Sequence, residues 1–151
     1  MNPSSSNFIQ HPLVSVLMVT YNQEETIAQA IESVLSQEGN FSLEIVIGED
    51  ASTDQTRQIC INYQQRHPGI IKLLFQQENQ GVLKNFIDTI RLCKGEYIGI
   101  CAGDDYWIDS QKIEKQLYFL QQSRFWCSFN RWISSDCKKQ QIGKRTFSFT
   151  P

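Results

Sequence analysis

Apolar residues recur along this chain in two alternating rhythms. Leu13-Val14-Ser15-Val16-Leu17-Met18-Val19 is a short, nearly continuous apolar run, the pattern of a strand covered on both faces of a sheet. After the polar turn Thr20-Tyr21-Asn22 the period lengthens, and Ile27, Ile31, Val34 and Leu35 fall on one face of a helix expected from about residue 24 to 37. Glu24 and Glu25 favour its amino end and Gly39 supplies its stop. The unit then repeats. Residues 43–48 form a β-branched strand, residues 49–54 a polar turn, and Ile59, Cys60 and Tyr63 mark a helix that ends by Pro68. Residues 70–75 predict a third strand and residues 82–94 a helix with Leu83, Phe86, Ile87 and Ile90 facing inward. Past Gly95, the run Glu96-Tyr97-Ile98-Gly99-Ile100-Cys101 is apolar enough for the middle of a sheet, and Ile113, Leu117 and Leu120 mark a last helix. The order β-α-β-α-β-α-β-α predicts an α/β fold, a mostly parallel sheet with flanking helices.

Composition narrows the class. At 151 residues, 40% hydrophobic and 20% charged, the chain is long enough for one core and short for two domains. Its net charge of -2 hides an asymmetry: residues 123–151 carry six Lys/Arg against the single acid Asp136. That basic end, with its run from Lys138 to Arg145, reads as a solvated tail, and no nucleic-acid partner is expected. No apolar run reaches a membrane span and residues 1–12 lack the features of a signal peptide, so a cytoplasmic protein is expected, at most peripheral to the inner membrane face. Five cysteines, with no Cys-x-x-Cys pair, fit a reducing compartment. Cys60, Cys93 and Cys101 read as core filler, not zinc ligands.

Three polar clusters follow predicted strands: Thr20-Tyr21-Asn22, Glu49-Asp50-Ala51-Ser52-Thr53-Asp54 and Gly103-Asp104-Asp105. In a parallel sheet these strand ends face one crevice, the place where open α/β sheets bind ligands. An isolated Asp-Asp often only caps a helix or shapes a turn. Beside a hydroxyl, an aromatic ring and further carboxylates, however, it suits a nucleotide: a base needs stacking and edge hydrogen bonds, a ribose needs a carboxylate acceptor, and a diphosphate needs a metal or cations. The chain has neither Gly-x-Gly-x-x-Gly after its first strand nor Gly-Lys-Ser/Thr, so no glycine-rich loop is available to cradle phosphates.

Four stretches in order resemble the family 2 glycosyltransferases of the Rossmann-like GT-A fold. They are residues 14–22, residues 44–54, Asn79-Gln80-Gly81, and residues 95–107 with their Asp104-Asp105-Tyr106-Trp107 end. The resemblance covers about residues 12–122, the nucleotide-sugar-binding half of such a domain, and leaves 123–151 as an atypical basic tail. It implies an inverting, metal-dependent transferase using a nucleotide-diphosphate sugar, commonly a uridine diphosphate sugar. By the same resemblance Asp50 contacts the base, Thr20, Tyr21 and Asn22 form the uridine loop, Asp104 holds the ribose, and Asp105 is the ligand of a divalent metal, Mg or Mn. Lys84 takes the place of an arginine near base and phosphates; it keeps the charge but not the bidentate fork. The acceptor is an unspecified glycan or lipid-linked sugar.

Two departures stand out. Ala102 occupies a position where many members carry an acid. The half of the domain expected to supply the catalytic base is missing, and Asp136 is not in a fitting context. A non-catalytic nucleotide-sugar-binding module is therefore the alternative to an enzyme. A receiver domain fits worse, because no acid pair follows the first strand. Tyr106 and Trp107 are expected to pack in the core, and His11 and His67 to lie on the surface without a ligand role. With the acceptor half absent, uncovered apolar surface predicts self-association and a weakly ordered tail. The tail itself suggests a reading-frame change. Read one nucleotide later, Trp126 and Trp132 must become Gly, Arg124 and Arg131 as AGA become Asp, and permitted codons yield Asp-Phe-Gly-Val-Val-Ser-Thr-Asp-Gly, which alternates like a strand.

Overall fold

The computed structural model describes residues 13–122. The expectations for His11, for the tail after residue 122 and for its reading frame fall outside the described residues. The order is β1 (Leu13–Thr20), α1 (Ile27–Leu35), β2 (Ser42–Glu49), α2 (Thr56–Arg66), β3 (Ile71–Phe75), α3 (Val82–Ile90), β4 (Tyr97–Ile100) and α4 (Lys112–Gln122). All four strands are parallel, in the order β3-β2-β1-β4. β1 and β2 pair over their whole length, Leu13 opposite Ser42 through Thr20 opposite Glu49, so the loops that leave them emerge side by side.

The core lies on one face of this sheet. Val14, Val16 and Met18 of β1 and Ile45 and Ile47 of β2 pack against Ile27, Ala30, Ile31 and Val34 of α1, Cys60 and Tyr63 of α2, and Ile113 and Leu117 of α4. The apolar positions of α1 recur three and four residues apart, which turns a single stripe toward the strands. Trp107 packs against the edge of this cluster, its ring over Gly99 and under the Lys112 ammonium, while Tyr106 is half-buried. Of the cysteines, Cys60 and Cys101 are buried and Cys93 partly so. Burial pushes the Cys60 and Cys101 thiols up to about 12, leaving both protonated and inert.

Among the described residues, α3 is the one helix on the opposite face, and here two expectations are corrected. α3 ends at Ile90, and Leu83 and Ile87, predicted inward, are exposed, while the polar Asn85 and Thr89 are buried. The reason is Gly48 of β2. A Cβ there would collide with Thr89 Oγ1 and Asn85 Oδ1, so its absence lets the helix come close enough for Asn85 Nδ2 to donate to the Gly48 carbonyl at 2.8 Å. Thr89 Oγ1 donates to the Asn85 carbonyl at 2.6 Å, so these buried groups are satisfied. Phe86 and Ile90 are partly buried.

β4 is the second correction: it is an edge strand of the described sheet, not a central one, paired with β1 alone. Tyr97 turns toward the core, whereas Ile98 and Ile100 are 40% and 42% exposed because α3 lies over β1 and β2 instead. Apolarity reports what a strand's faces must meet, not which neighbours it has.

Away from the strand ends that carry the polar clusters, a buried charge ties the sheet together. Glu44 of β2 accepts from the Ser15 hydroxyl, the Lys72 ammonium and the Lys94 amide, and Gly95 N donates to Ser15 Oγ at 2.7 Å. Burial alone would raise the Glu44 pKa, but these hydrogen bonds outweigh it and hold the carboxyl below its ordinary value.

Candidate functional site

The carboxyl ends of β1 and β2 release two loops that are hydrogen-bonded to each other almost residue by residue. Asn22, at φ 50, donates its amide to Ser52 Oγ at 2.9 Å, and its side-chain oxygen accepts from Thr53 N at 2.8 Å. Gln23 N donates to Thr56 Oγ1 at 2.8 Å. Glu24 and Asp54 cap one another's loops: Glu24 N donates to Asp54 Oδ2 at 3.1 Å and Gln55 N to Glu24 Oε2 at 2.8 Å. Asp54 also accepts from Thr56 N at 2.9 Å, and such donors outweigh its burial to hold the carboxyl below the usual range. Ala51 sits at φ 60, a left-handed conformation rare for a residue with a Cβ.

Beneath these loops, Glu49 is fully buried. It accepts from Ser52 N at 2.6 Å and forms an ion pair with Arg57, whose guanidinium lies 4.9 Å from the centre of the Phe75 ring and donates to the Gln76 carbonyl at 3.0 Å. Asp50, next in sequence, is also buried. Its amide donates to the Thr20 carbonyl at 3.0 Å, and its carboxylate accepts from Gln80 N at 2.8 Å and Gly81 N at 2.9 Å.

The third cluster crosses over to the first. Gly103 N donates to the Val19 carbonyl at 3.0 Å and its own carbonyl accepts from Thr26 Oγ1 at 2.9 Å, which seats the turn on the start of α1. A side chain at Gly103 would strike Gln23 Oε1 and Thr20, because Thr20 Oγ1 and Gln23 Oε1 are hydrogen-bonded at 2.7 Å in that space. Asp104 is exposed and Asp105 half-buried. Burial, and then the neighbouring Asp104 charge, raise the Asp105 pKa above its ordinary value. Asp104, Asn22, Gln23, Glu24, Glu25, Thr26 and Asp54 line an open cleft of about 370 Å³.

Among the residue positions anticipated for a nucleotide, the structure brings Thr20, Asn22, Asp50 and Asp104 to one end of the sheet, with Tyr21 exposed beside them. Lys84 lies on the exposed first turn of α3 and is engaged elsewhere, 2.6 Å from Asp88. Gln23, Arg57 and Thr26 were not anticipated, and Glu49 was expected only as a member of the polar cluster after the second strand, not as the buried partner of Arg57. Asp54 followed two residues on by Thr56 is a local capping signal, but the eight-residue step from Glu49 to Arg57 leaves no periodic trace in a sequence.

A divalent cation finds no closed cage here: no group of three His, Cys, Asp or Glu among the described residues is arranged to hold one. The adjacent Asp104 and Asp105, with a raised pKa on the latter, do fit a hard cation that takes one or two carboxylates and completes its shell with substrate phosphates and water.

The family model described as Glycosyl transferase family 2 matches residues 15–149. An uncharacterized protein of Mycobacterium tuberculosis is 40% identical over 107 residues, covering 71% of this chain and 31% of the relative. The Escherichia coli UDP-Glc:alpha-D-GlcNAc-diphosphoundecaprenol beta-1,3-glucosyltransferase WfaP is 33% identical over 125 residues, 82% of this chain and 48% of that protein. Among solved structures, S. aureus TarS in complex with UDP-GlcNAc superposes with a TM-score of 0.64 at 29% identity, over 72% of this chain and 31% of that one. The mannosyltransferase PcManGT from Pyrobaculum calidifontis, in complex with GDP-Man and Mn2+, gives a TM-score of 0.67 at 24% identity over 74% and 33% of the two chains. The chain thus spans about a third to a half of the length of these relatives.

Proposed function

Because this chain belongs to glycosyl transferase family 2, we propose that it forms the donor-binding part of a transferase that takes a sugar from a nucleoside diphosphate carrier and passes it, with inversion, to a glycan or lipid-linked acceptor. The observation that carries the reading is the convergence of three loops, after β1, after β2 and after β4, at one end of a parallel sheet, with a carboxylate pair on the last. A uridine diphosphate sugar is the favoured donor, supported by the relatives whose names state UDP-Glc and UDP-GlcNAc.

In this reading Thr20, Tyr21, Asn22 and Asp50 receive the base, Asp104 accepts from ribose hydroxyls, and Asp105 holds a Mg or Mn ion. Such an ion, when bound there, would supply charge neutralisation for the departing diphosphate. Lys84 serves the phosphates after giving up Asp88. The base that deprotonates the acceptor is expected beyond the aspartate turn, and a module that binds donor without turnover is the second reading. Action at the cytoplasmic face of the membrane, in polysaccharide assembly, goes with a lipid-linked acceptor; no described helix is long and apolar enough to cross a membrane. The frame-shift reading of residues 123–151 belongs to the same proposal and predicts donor binding without transfer. Sequencing the encoding DNA decides it: if the codons read one nucleotide later from about Arg124 do not continue into that alternating strand, residues 123–151 are native; the family match runs to residue 149.

Calorimetry of the chain against UDP, GDP, ADP and CDP, with and without Mn, tests the donor site. Metal-dependent binding led by UDP is the expected result. Absent binding of every nucleotide, or binding indifferent to metal, would overturn it.

A further inference from the structure

We infer that Asp50 is a positioning residue, a latch that builds the wall of the nucleotide site from the loop ahead of α3 before any ligand arrives. This inference rests on the donor-site reading for its consequence, but not for its structure. The carboxylate of Asp50 is buried at the end of β2, and each of its oxygens takes a different backbone amide, Gln80 N on Oδ1 and Gly81 N on Oδ2. Among the described residues, no other hydrogen bond ties residues 77–81 to another strand or loop; Asn79 Oδ1, 3.2 Å from Gly81 N, and Gln80 Nε2, near Glu78, stay within the loop.

Gly81 immediately precedes α3. It stands at φ 80, and the helix receives no side-chain cap from its own leading residue. The Asp50 carboxylate accepts from the amide of Gly81 itself, just ahead of the first-turn amides, and hydrogen bonds to an ionised acceptor are the stronger kind. The Asp50 amide meanwhile holds the Thr20 carbonyl, so one residue sets the spacing between the loop after β1 and the loop before α3. Each carboxylate oxygen has a second acceptor position, which leaves room for a base contact in addition. The base-side wall nevertheless depends on the latch; the metal position at Asp105, on the loop after β4, does not, and Lys84 lies inside α3, beyond the latched loop.

Asp50→Asn removes the charge and turns an amide group toward one of the two N–H donors. Amide exchange of the ligand-free, full-length chain should then speed up by about tenfold or more at Gln80 and Gly81, the effect of losing one charge-assisted hydrogen bond, with the β1 and β2 amides unchanged. With Mn present, affinity for UDP should fall about tenfold while affinity for inorganic pyrophosphate holds. Unchanged exchange at Gln80 and Gly81 would overturn the latch, whatever happens to UDP. A parallel loss of pyrophosphate would overturn its confinement to the base side. Should the variant fail to fold, wild-type amides at Gln80 and Gly81 that exchange as fast as an open chain would also overturn it. Wild-type protein that binds no nucleoside diphosphate would defeat the donor-site reading, and exchange without ligand would still decide the latch.

Discussion

At the scale of single residues, the site is made of groups held at some cost to the empty fold. Ala51 occupies a left-handed conformation that disfavours a Cβ by roughly 1–2 kcal/mol, more than the roughly 0.5–1 kcal/mol of extra chain entropy a glycine brings. Ala51→Gly should therefore raise stability in denaturant titration by up to about 1 kcal/mol, and a loss would show the loop relaxes around the methyl. Asp105 carries a raised pKa through burial and the Asp104 charge, so the ligand-free fold gains stability from this group as pH falls and protonates it. Removing the charge should do the same at neutral pH: Asp105→Asn is expected to melt at a higher temperature without ligand while losing metal-dependent nucleotide binding. A lower melting temperature would mean that Asp105 stabilises the turn.

At the scale of elements, Gly48 and Gly103 set how closely neighbours approach. Gly103→Ala puts a methyl where Gln23 Oε1 and Thr20 lie and should destabilise the chain by about 1–3 kcal/mol, in the range of overpacked cores. Adding Gln23→Ala should recover part of this, since Gln23 is flexible and Thr20 is not; no recovery would assign the clash to the strand end. The Glu44 network joins β1, β2, β3 and the approach to β4. Its folded pKa lies below its ordinary value, so its contribution is present above the ordinary carboxylate range and is lost as pH falls through the lower folded value. Acid titration of stability should show a loss over that range that Glu44→Gln flattens.

At the scale of the molecule, the uncovered region is specific. Ile98 and Ile100 of the edge strand are about two-fifths exposed on the sheet face that α3 covers only in part, and Val82 and Leu83 of α3 itself are 71% exposed. An exposed edge beside apolar side chains promotes pairing between copies. Sedimentation should show concentration-dependent self-association that Ile98→Lys with Ile100→Lys reduces; a strict monomer at high concentration would contradict it.

The order of elements and their parallel direction were legible from the chain alone, because periodicity follows from which sides of an element meet apolar neighbours. That Thr20, Asn22, Asp50 and Asp104 lie at one end of the sheet was legible too, since loops after parallel strands gather there. What no periodic signal carried was decided by tertiary contact. β4 took an edge because its apolar sequence does not specify partners, and Asn85 and Thr89 displaced Leu83 and Ile87 from the interior because Gly48 left room and a carbonyl to satisfy. The Glu49–Arg57 pair and the reach of Asp50 to Gln80 and Gly81 arise from segments distant in sequence, and only the fold sets them within hydrogen-bonding distance.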